Sequence, residues 1–317
     1  MKTILLLASA ATVSLATAGS AATLDASQLL NQFNLIVKGD VTNATSSVEG
    51  RVLIGGDMQS GNLETHRNLS SGGGVSESDY DAVVIEGNVG GLLRVGNSGD
   101  ASVGSVSGST DMQGGTLTTG SPVNAPENFG AVLDDLSRDL SELIETGSEY
   151  MVGQRLTFAA NADDMTVFDV DWTQLYSNSG YNVSDIGFDF SGNSDGIIVI
   201  NVAGATGGFT NSNAPDAYGQ QVLWNFHEAT NISFNSGFVG SILASDADVR
   251  VGGGAIEGTL FANNVVLNAQ IHRQNFVGLP QQAAPVSPVP LPAGLPMLLT
   301  AVGGIAALRR LRNRRAA

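Results

Sequence analysis

Between Phe238 and Asn268 the chain writes one short segment twice. Gly240 to Val249 reads GSILASDADV, and 18 residues on, Gly258 to Leu267 reads GTLFANNVVL. The two align Gly240 with Gly258, Leu243 with Phe261, Ala244 with Ala262 and Val249 with Leu267. A small residue, a brief apolar run, an Asn/Asp corner and a second apolar run suit one coil of a β-solenoid. Such a coil cannot bury its apolar side alone, so it stacks on a near copy of itself. Backbone pairing then repeats at about 4.8 Å per layer. Leu243 and Phe261 are therefore expected to be buried and to lie on neighbouring coils.

The same punctuation recurs. Phe33 to Asp40 reads as a strand and a turn, and Val48 to Asp57 follows it. An apolar-Glu-Gly signature appears at Val48-Glu49-Gly50, Ile85-Glu86-Gly87 and Ile256-Glu257-Gly258. These are expected to be equivalent corners, with Gly turning the chain and Glu facing solvent. Residues 70 to 123 are rich in Gly, Ser and Thr, but Val83, Val84, Leu92, Leu93, Val103, Val106 and Leu117 recur between the turn residues, which favours thin coils. Asn124 to Thr146 differs: Phe129, Val132, Leu133, Leu136, Leu140, Leu143 and Ile144 have helical spacing. Asn124, Pro126 and Glu127 would cap that helix and Gly147 would end it. A helix of that length spans about 30 Å, or roughly six layers, and its one apolar stripe suits the flank of the stack. Beyond it, Arg155 to Trp172 and Ile186 to Gly204 read as strands. Ile197 to Val202 is apolar enough to be covered on both sides. The expected fold is thus mainly β, a parallel β-solenoid with one long helix alongside.

Forty glycines among 317 residues fit a chain of many tight turns. The 30 acids outnumber the 14 bases, and six of those bases (Lys2, Arg309, Arg310, Arg312, Arg314, Arg315) lie in the terminal segments. Without those segments the chain keeps a net charge of about −22. Phosphate binding needs basic patches, so nucleic acid is not an expected partner. There is no cysteine, which excludes disulfides and thiolate metal sites.

Lys2, the apolar run from Ile4 to Leu15 and Ala16-Thr17-Ala18 form a signal peptide of bacterial type, expected over residues 1–18. The folded domain is expected over 24–280 and a Gln/Ala/Pro/Ser linker over 281–288. The tail, 289–317, holds Val289-Pro290-Leu291-Pro292-Ala293, an apolar stretch to Leu308 and the cluster Arg309, Arg310, Arg312, Arg314 and Arg315. The apolar stretch is a marginal membrane span, and the arginines belong on its cytoplasmic side. This tripartite tail resembles the VPLPA-CTERM class of sorting signals, a relative of PEP-CTERM. The resemblance implies an exosortase-type enzyme as partner, transient residence in the inner membrane, and delivery to the cell surface or beyond.

The stretches Phe33 to Asp57, Val222 to Thr230 (VLWNFHEAT), and Phe238 to Ala244 through Ile256-Glu257-Gly258 resemble the choice-of-anchor A family of bacterial surface proteins. The resemblance covers roughly residues 24 to 278 and implies an extracellular adhesive domain. The last coils also resemble the ice-binding β-solenoid fold, which implies a right-handed solenoid with a long helix beside it.

No catalytic constellation stands out. His66, His227 and His272 are far apart and lack metal-ligand spacing. No G-x-S-x-G elbow occurs. The pairs Asp169/Asp171 and Asp246/Asp248 could each share a strand face and serve sugar hydrolysis or calcium, but solvated acidic strands explain them as well. Asp189 to Gly196 is acidic and turn-like without EF-hand spacing, so only these acidic clusters suggest calcium and no cofactor is assigned. The expected function is non-enzymatic: adhesion to a polysaccharide, a surface or a neighbouring cell through a rigid solenoid face. A carbohydrate-active enzyme and an ice-binding protein are the alternatives. For ice the only hint is Thr116 to Thr119.

Overall fold

The computed structural model describes residues 24–67, 78–121, 123–175, 183–209 and 214–280. The chain divides into two units, 1–279 and 280–317, and the fold below is that of the first. The expected leader, linker and sorting tail, including Val289 to Ala293 and the arginines from Arg309 to Arg315, lie outside the described residues.

Among the described residues ten parallel strands form the backbone of the stack. In chain order they are β1 (Leu35–Val37), β2 (Val52–Ile54), β3 (Val83–Val89), β4 (Ala101–Val106), β5 (Leu117–Thr119), β6 (Met165–Asp171), β7 (Ile197–Ala203), β8 (Val222–Asn225), β9 (Ser241–Val251) and β10 (Leu260–Leu267). In space the order is β5-β4-β3-β2-β1-β10-β9-β8-β7-β6. The stack is therefore split. The first half of the chain builds outward from the middle to one end. The second half begins at the opposite end and returns to the middle. There β10 takes β1 as its neighbour, Leu35 beside Leu260 and Ile36 beside Phe261. Nine layer spacings make the stack about 43 Å long.

Leu243 and Phe261 are in direct register on β9 and β10, and both are fully buried. Their side chains point away from the lumen. With Ile36, Leu53, Val84, Val167, Val199 and Leu223 they form an outer apolar layer. The alternate residues, such as Ile242, Ala244, Leu260 and Ala262, fill the interior. Burial on both sides explains the near-continuous apolar run of β7. Past Ala244 the 18-residue alignment fails. Two extra residues bulge from β9, so Val249 pairs with Val265, and Val251, not Val249, pairs with Leu267.

Helices α1 (Ala26–Gln32) and α2 (Phe129–Ser141) cover the outer layer. Helix α1 is held by a complete capping box between Asp25 and Gln28. The expected long helix is α2, which spans only Phe129–Ser141, about 20 Å. Asn128 precedes it in a left-handed conformation (φ 54°), and no side chain caps its start, so the Asn124/Glu127 cap does not form. At its other end Ile144 is exposed. Gly147 is not the helix stop. It lies against the Phe168 ring, where a Cβ would collide. Helix α2 runs beside the half of the stack built by the second half of the chain, touching β7, β8 and β9.

Two further faces run alongside this one. One consists of Thr206–Phe209, Asn231–Phe234, the C-terminal halves of β9 and β10, and Val41–Ala44. Bridges at Met58, Gly61 and Val89 continue it. The other runs through Phe238–Val239, Ile256–Glu257, Ile271–His272, Ser47–Val48, Asn62–Thr65, Leu92–Val95 and Ser109–Asp111, in that spatial order. A separate three-stranded sheet is formed by Tyr150–Val152, Arg155–Ala159 and Asp185–Asp189.

This layout corrects the three apolar-Glu-Gly corners. Val48 and Ile256 do share a face, each pairing with Ile271. Ile85 belongs to β3 on the helix-covered face, beside Ile54 and Val103. Its true equivalents are Val37-Lys38-Gly39 and Ile54-Gly55-Gly56. At that corner one Asx oxygen per layer accepts a backbone N–H from the next: Asn264 Oδ1 from Asp40 (2.8 Å), Asp40 Oδ1 from Asp57 (2.7 Å), and Asp57 Oδ1 from Asn88 (2.7 Å). A Cβ on Gly39, Gly56 or Gly87 would collide with that oxygen, which is why glycine precedes each corner Asx residue.

Candidate functional site

The three faces differ in what they expose. The helix-covered face is sealed and pinned. Asn225 Nδ2 donates to the Ser137 carbonyl oxygen (2.8 Å) and to Asn201 Oδ1 (2.9 Å), while the Ser137 hydroxyl donates to Asn225 Oδ1 (2.6 Å). Asn201 Nδ2 donates to the Leu140 carbonyl oxygen (2.8 Å) and to Asp169 Oδ1 (2.9 Å). Lys38 Nζ pairs with Asp134 on α2 (2.9 Å) and lies 3.5 Å from Asp246.

The face through Ile271 and Ser109 is charged. Arg94 bridges Glu64 (3.0 Å) and Asp111 (3.5 Å), and Arg67 pairs with Glu64. Glu257 is 9 % exposed, contrary to the solvent-facing glutamate expected there. Its carboxylate lies 2.5 Å from His272 Nδ1. Glu49 Oε2 accepts the Arg273 backbone N–H (3.0 Å). The Glu257 hydrogen bond, helped by the charges of Glu257, Glu49 and Asp216, raises the His272 pKa against the opposing effect of burial. His66 differs. Burial lowers its pKa, with Arg51 and Arg273 adding to the effect and a hydrogen bond to the Gly96 carbonyl opposing it.

The remaining face is open, and small polar side chains dominate it. Inward residues alternate with outward ones: Ile232, Phe234, Val249, Val251, Val265 and Leu267 are buried. Asn231, Ser233, Asp248, Arg250, Asn264 and Val266 face out. Hydrogen bonds cross from layer to layer. Asn264 Nδ2 donates to Asp248 Oδ1 (2.8 Å), the Ser60 hydroxyl to the Thr42 carbonyl oxygen (2.8 Å), Asn88 Nδ2 to Ser107 Oγ (2.9 Å), and the Ser105 hydroxyl to Asn88 Oδ1 (3.1 Å). Between the layers lies a shallow depression of about 460 Å³, lined by residues that include Thr42, Asn231, Ser233, Asp248, Arg250 and Asn264.

The sequence-derived acidic pairs do not converge on a site. Asp169 receives Asn201, and Asp171 caps Thr173 through N (2.8 Å) and Oγ1 (2.5 Å), which lowers the Asp171 pKa. Asp246 faces Lys38 and Asp248 faces Asn264. Asp189 closes a turn on the Ser191 backbone N–H (2.9 Å). Among the described residues no cluster of three His, Asp or Glu is placed to hold a metal ion. Nor is any described helix long and apolar enough to cross a membrane. Sequence reasoning missed the open face and Arg250, because neither carries a motif. Strand alternation around Val249 and Val251 was the available signal.

Fold and face together define a β-solenoid sealed along one side by helices and open along another. The chain belongs to the family described as "Putative Ice-binding-like adhesive domain", which matches residues 26–273. Solved structures similar to it include an ice-binding protein from the Antarctic ascomycete Antarctomyces psychrotrophicus (14 % identity, 80 % of this chain and 100 % of that one, TM-score 0.40). Another is an ice-binding protein from an Antarctic biological consortium (14 %, 83 % and 95 %, 0.35). A third is the DUF3494 domain of Shewanella frigidimarina ice-binding protein 1 (12 %, 80 % and 99 %, 0.36). No curated protein matches the chain.

Proposed function

We propose that this is a non-catalytic adhesive module of the cell surface or extracellular space, attaching through the open polar face. The observation that carries the reading is the layer-to-layer hydrogen bonding of small polar side chains on that face. Side chains already fixed in the free protein lose little entropy on contact, so a broad set of weak contacts can sum to useful affinity. Family membership supports the adhesive class. We assign the finer features on the same terms: right-handed coils, as parallel crossovers favour, the choice-of-anchor A grouping, a leader over 1–18, and a VPLPA-CTERM tail handed to an exosortase-type enzyme. An extracellular polysaccharide or another surface ligand is the partner, and nucleic acid is not.

The adhesive reading is preferred to ice binding because the threonine-bearing strand β5 stands alone at one end of the stack, and Thr42 stands among Asn and Ser. Blocking the face tests the reading. Ser60→Trp with Ser233→Trp should abolish retention of cells or of polysaccharide-coated surfaces, while Ser109→Trp on the charged face should not. Equal retention by all three proteins overturns it. Thermal hysteresis from the purified protein, without surface attachment, would transfer the role to ice.

A further inference from the structure

Arg250 is the outlying residue of the open face. Among the described residues Lys38, Arg67, Arg94, Arg138 and Arg155 all have carboxylate partners. The Arg250 guanidinium has neither an ion pair nor a hydrogen bond among them, and it is exposed in the depression. Its neighbours on the same row are Ser233 on one side and Val266 on the other, with Asn43 beyond Val266. No acid lies on that row. The parallel row two residues away holds Asn231, Asp248 and Asn264 in register. The depression thus has a cationic fork, a half-buried valine as an apolar seat, and a flanking line of amides and a carboxylate.

Resting on the adhesive reading above, we infer that this depression binds a sparsely carboxylated glycan: one uronate carboxylate on Arg250, with neutral sugar rings beside it. A guanidinium grips a carboxylate through two parallel N–H bonds. The Val266 side chain suits the C–H face of a pyranose ring, and Ser233, Asn231, Asn264 and Asp248 offer donors and acceptors to ring hydroxyls. The volume falls within the range of small-ligand sites. Charge decides the spacing of carboxylates along the polymer. The chain carries 30 acids against 14 bases, and Asp248 and Asp40 line the same depression. A polymer with a carboxylate on every ring would set its further charges against these aspartates, whereas one with isolated carboxylates would not.

The test uses the full chain and a tetrasaccharide probe, xylotriose bearing one methylglucuronate, followed by calorimetry at low millimolar ligand. The control is the same sugar with its carboxylate reduced to the alcohol. Wild type should prefer the acid by about tenfold, the scale expected for a charge-assisted bidentate contact. Arg250→Gln should bind acid and alcohol alike, and Arg250→Lys should recover part of the preference. Melting should be unchanged, since Arg250 supports no other side chain. A wild-type protein that binds acid and alcohol equally, or neither, overturns the assignment. So does an Arg250→Gln protein that keeps the preference, or polygalacturonate binding more tightly per ring than the tetrasaccharide. If these outcomes occur while Ser60→Trp with Ser233→Trp still abolishes surface retention, the adhesive reading survives and only the ligand class falls.

Discussion

At Asn225 a single amide joins three structural parts: helix α2 through Ser137, the neighbouring layer through Asn201, and its own strand. Asn225→Ala would leave buried polar groups without partners, and about 2–3 kcal/mol of stability should be lost, read from urea unfolding. No sequence pattern marks this amide, because its partners lie far away along the chain. The histidines carry a second residue-scale prediction. The His272 pKa is raised in the fold, chiefly by Glu257 and further by Glu49 and Asp216, and Gln270 Oε1 lies 3.3 Å from Nε2. Its contribution to stability is complete below the ordinary histidine value of about 6.5 and is lost as pH rises through the higher folded value. The His66 pKa is lowered by burial, so its penalty appears as pH falls from about 6.5 through the lower folded value. His272→Gln should therefore flatten the loss of stability on the alkaline side, and His66→Gln the loss on the acidic side. Melting temperatures measured from pH 5 to 9 (roughly the span of shifted histidines) would show the reverse if the assignments were wrong.

At the scale of elements, periodicity was the legible signal and termini were not. The helical spacing from Phe129 to Leu140 corresponds to a real apolar stripe, with Phe129, Leu133 and Leu140 buried against the stack. Leu143 and Ile144 continue that spacing, yet the helix has ended at Ser141 and Ile144 faces solvent. The repeat in β9 and β10 was legible up to Ala244, where a bulge of two residues broke an alignment that sequence identity could not reveal. Helix α1 could have been found from Asp25 and Gln28, whose spacing is that of a capping box before Leu29 and Leu30. The stripe of α2 gives the element-scale prediction. Leu133 is fully buried in the layer between helix and strands. Leu133→Ala should cost about 2–5 kcal/mol, as large-to-small core changes do. Asp134→Ala, which removes a partly exposed ion pair with Lys38, should cost about 1 kcal/mol or less. Equal losses in urea unfolding would mean that the ion pair seats the helix as strongly as packing does.

At the scale of the molecule, the sequence showed that coils stack but not in which order, since local pattern carries no information about which layers meet. The order has a physical consequence. Leu35 and Leu260 pair although they stand more than two hundred residues apart, so the two halves of the stack close late, against a large loop entropy. The two ends of the domain also meet: the Leu279 backbone N–H donates to the Ser27 hydroxyl (3.2 Å). A circular permutant that joins Pro280 to Leu24 through a short flexible linker and opens the chain between Ser148 and Glu149 would keep every layer contact. Its strands would run β6 to β10 and then β1 to β5, the spatial order of the stack, with α2 following at the end. Contact order would fall sharply, because β10 and β1 would become neighbours in sequence. The permutant should therefore fold to the same far-ultraviolet circular dichroism spectrum and refold about tenfold or more faster from urea. Its stability should stay close to that of the parent, since only one loop has been cut and one closed. A permutant that refolds no faster would show that closure of β1 on β10 is not the slow step. One that cannot fold would show that α2 must bridge the two halves before either half can stack.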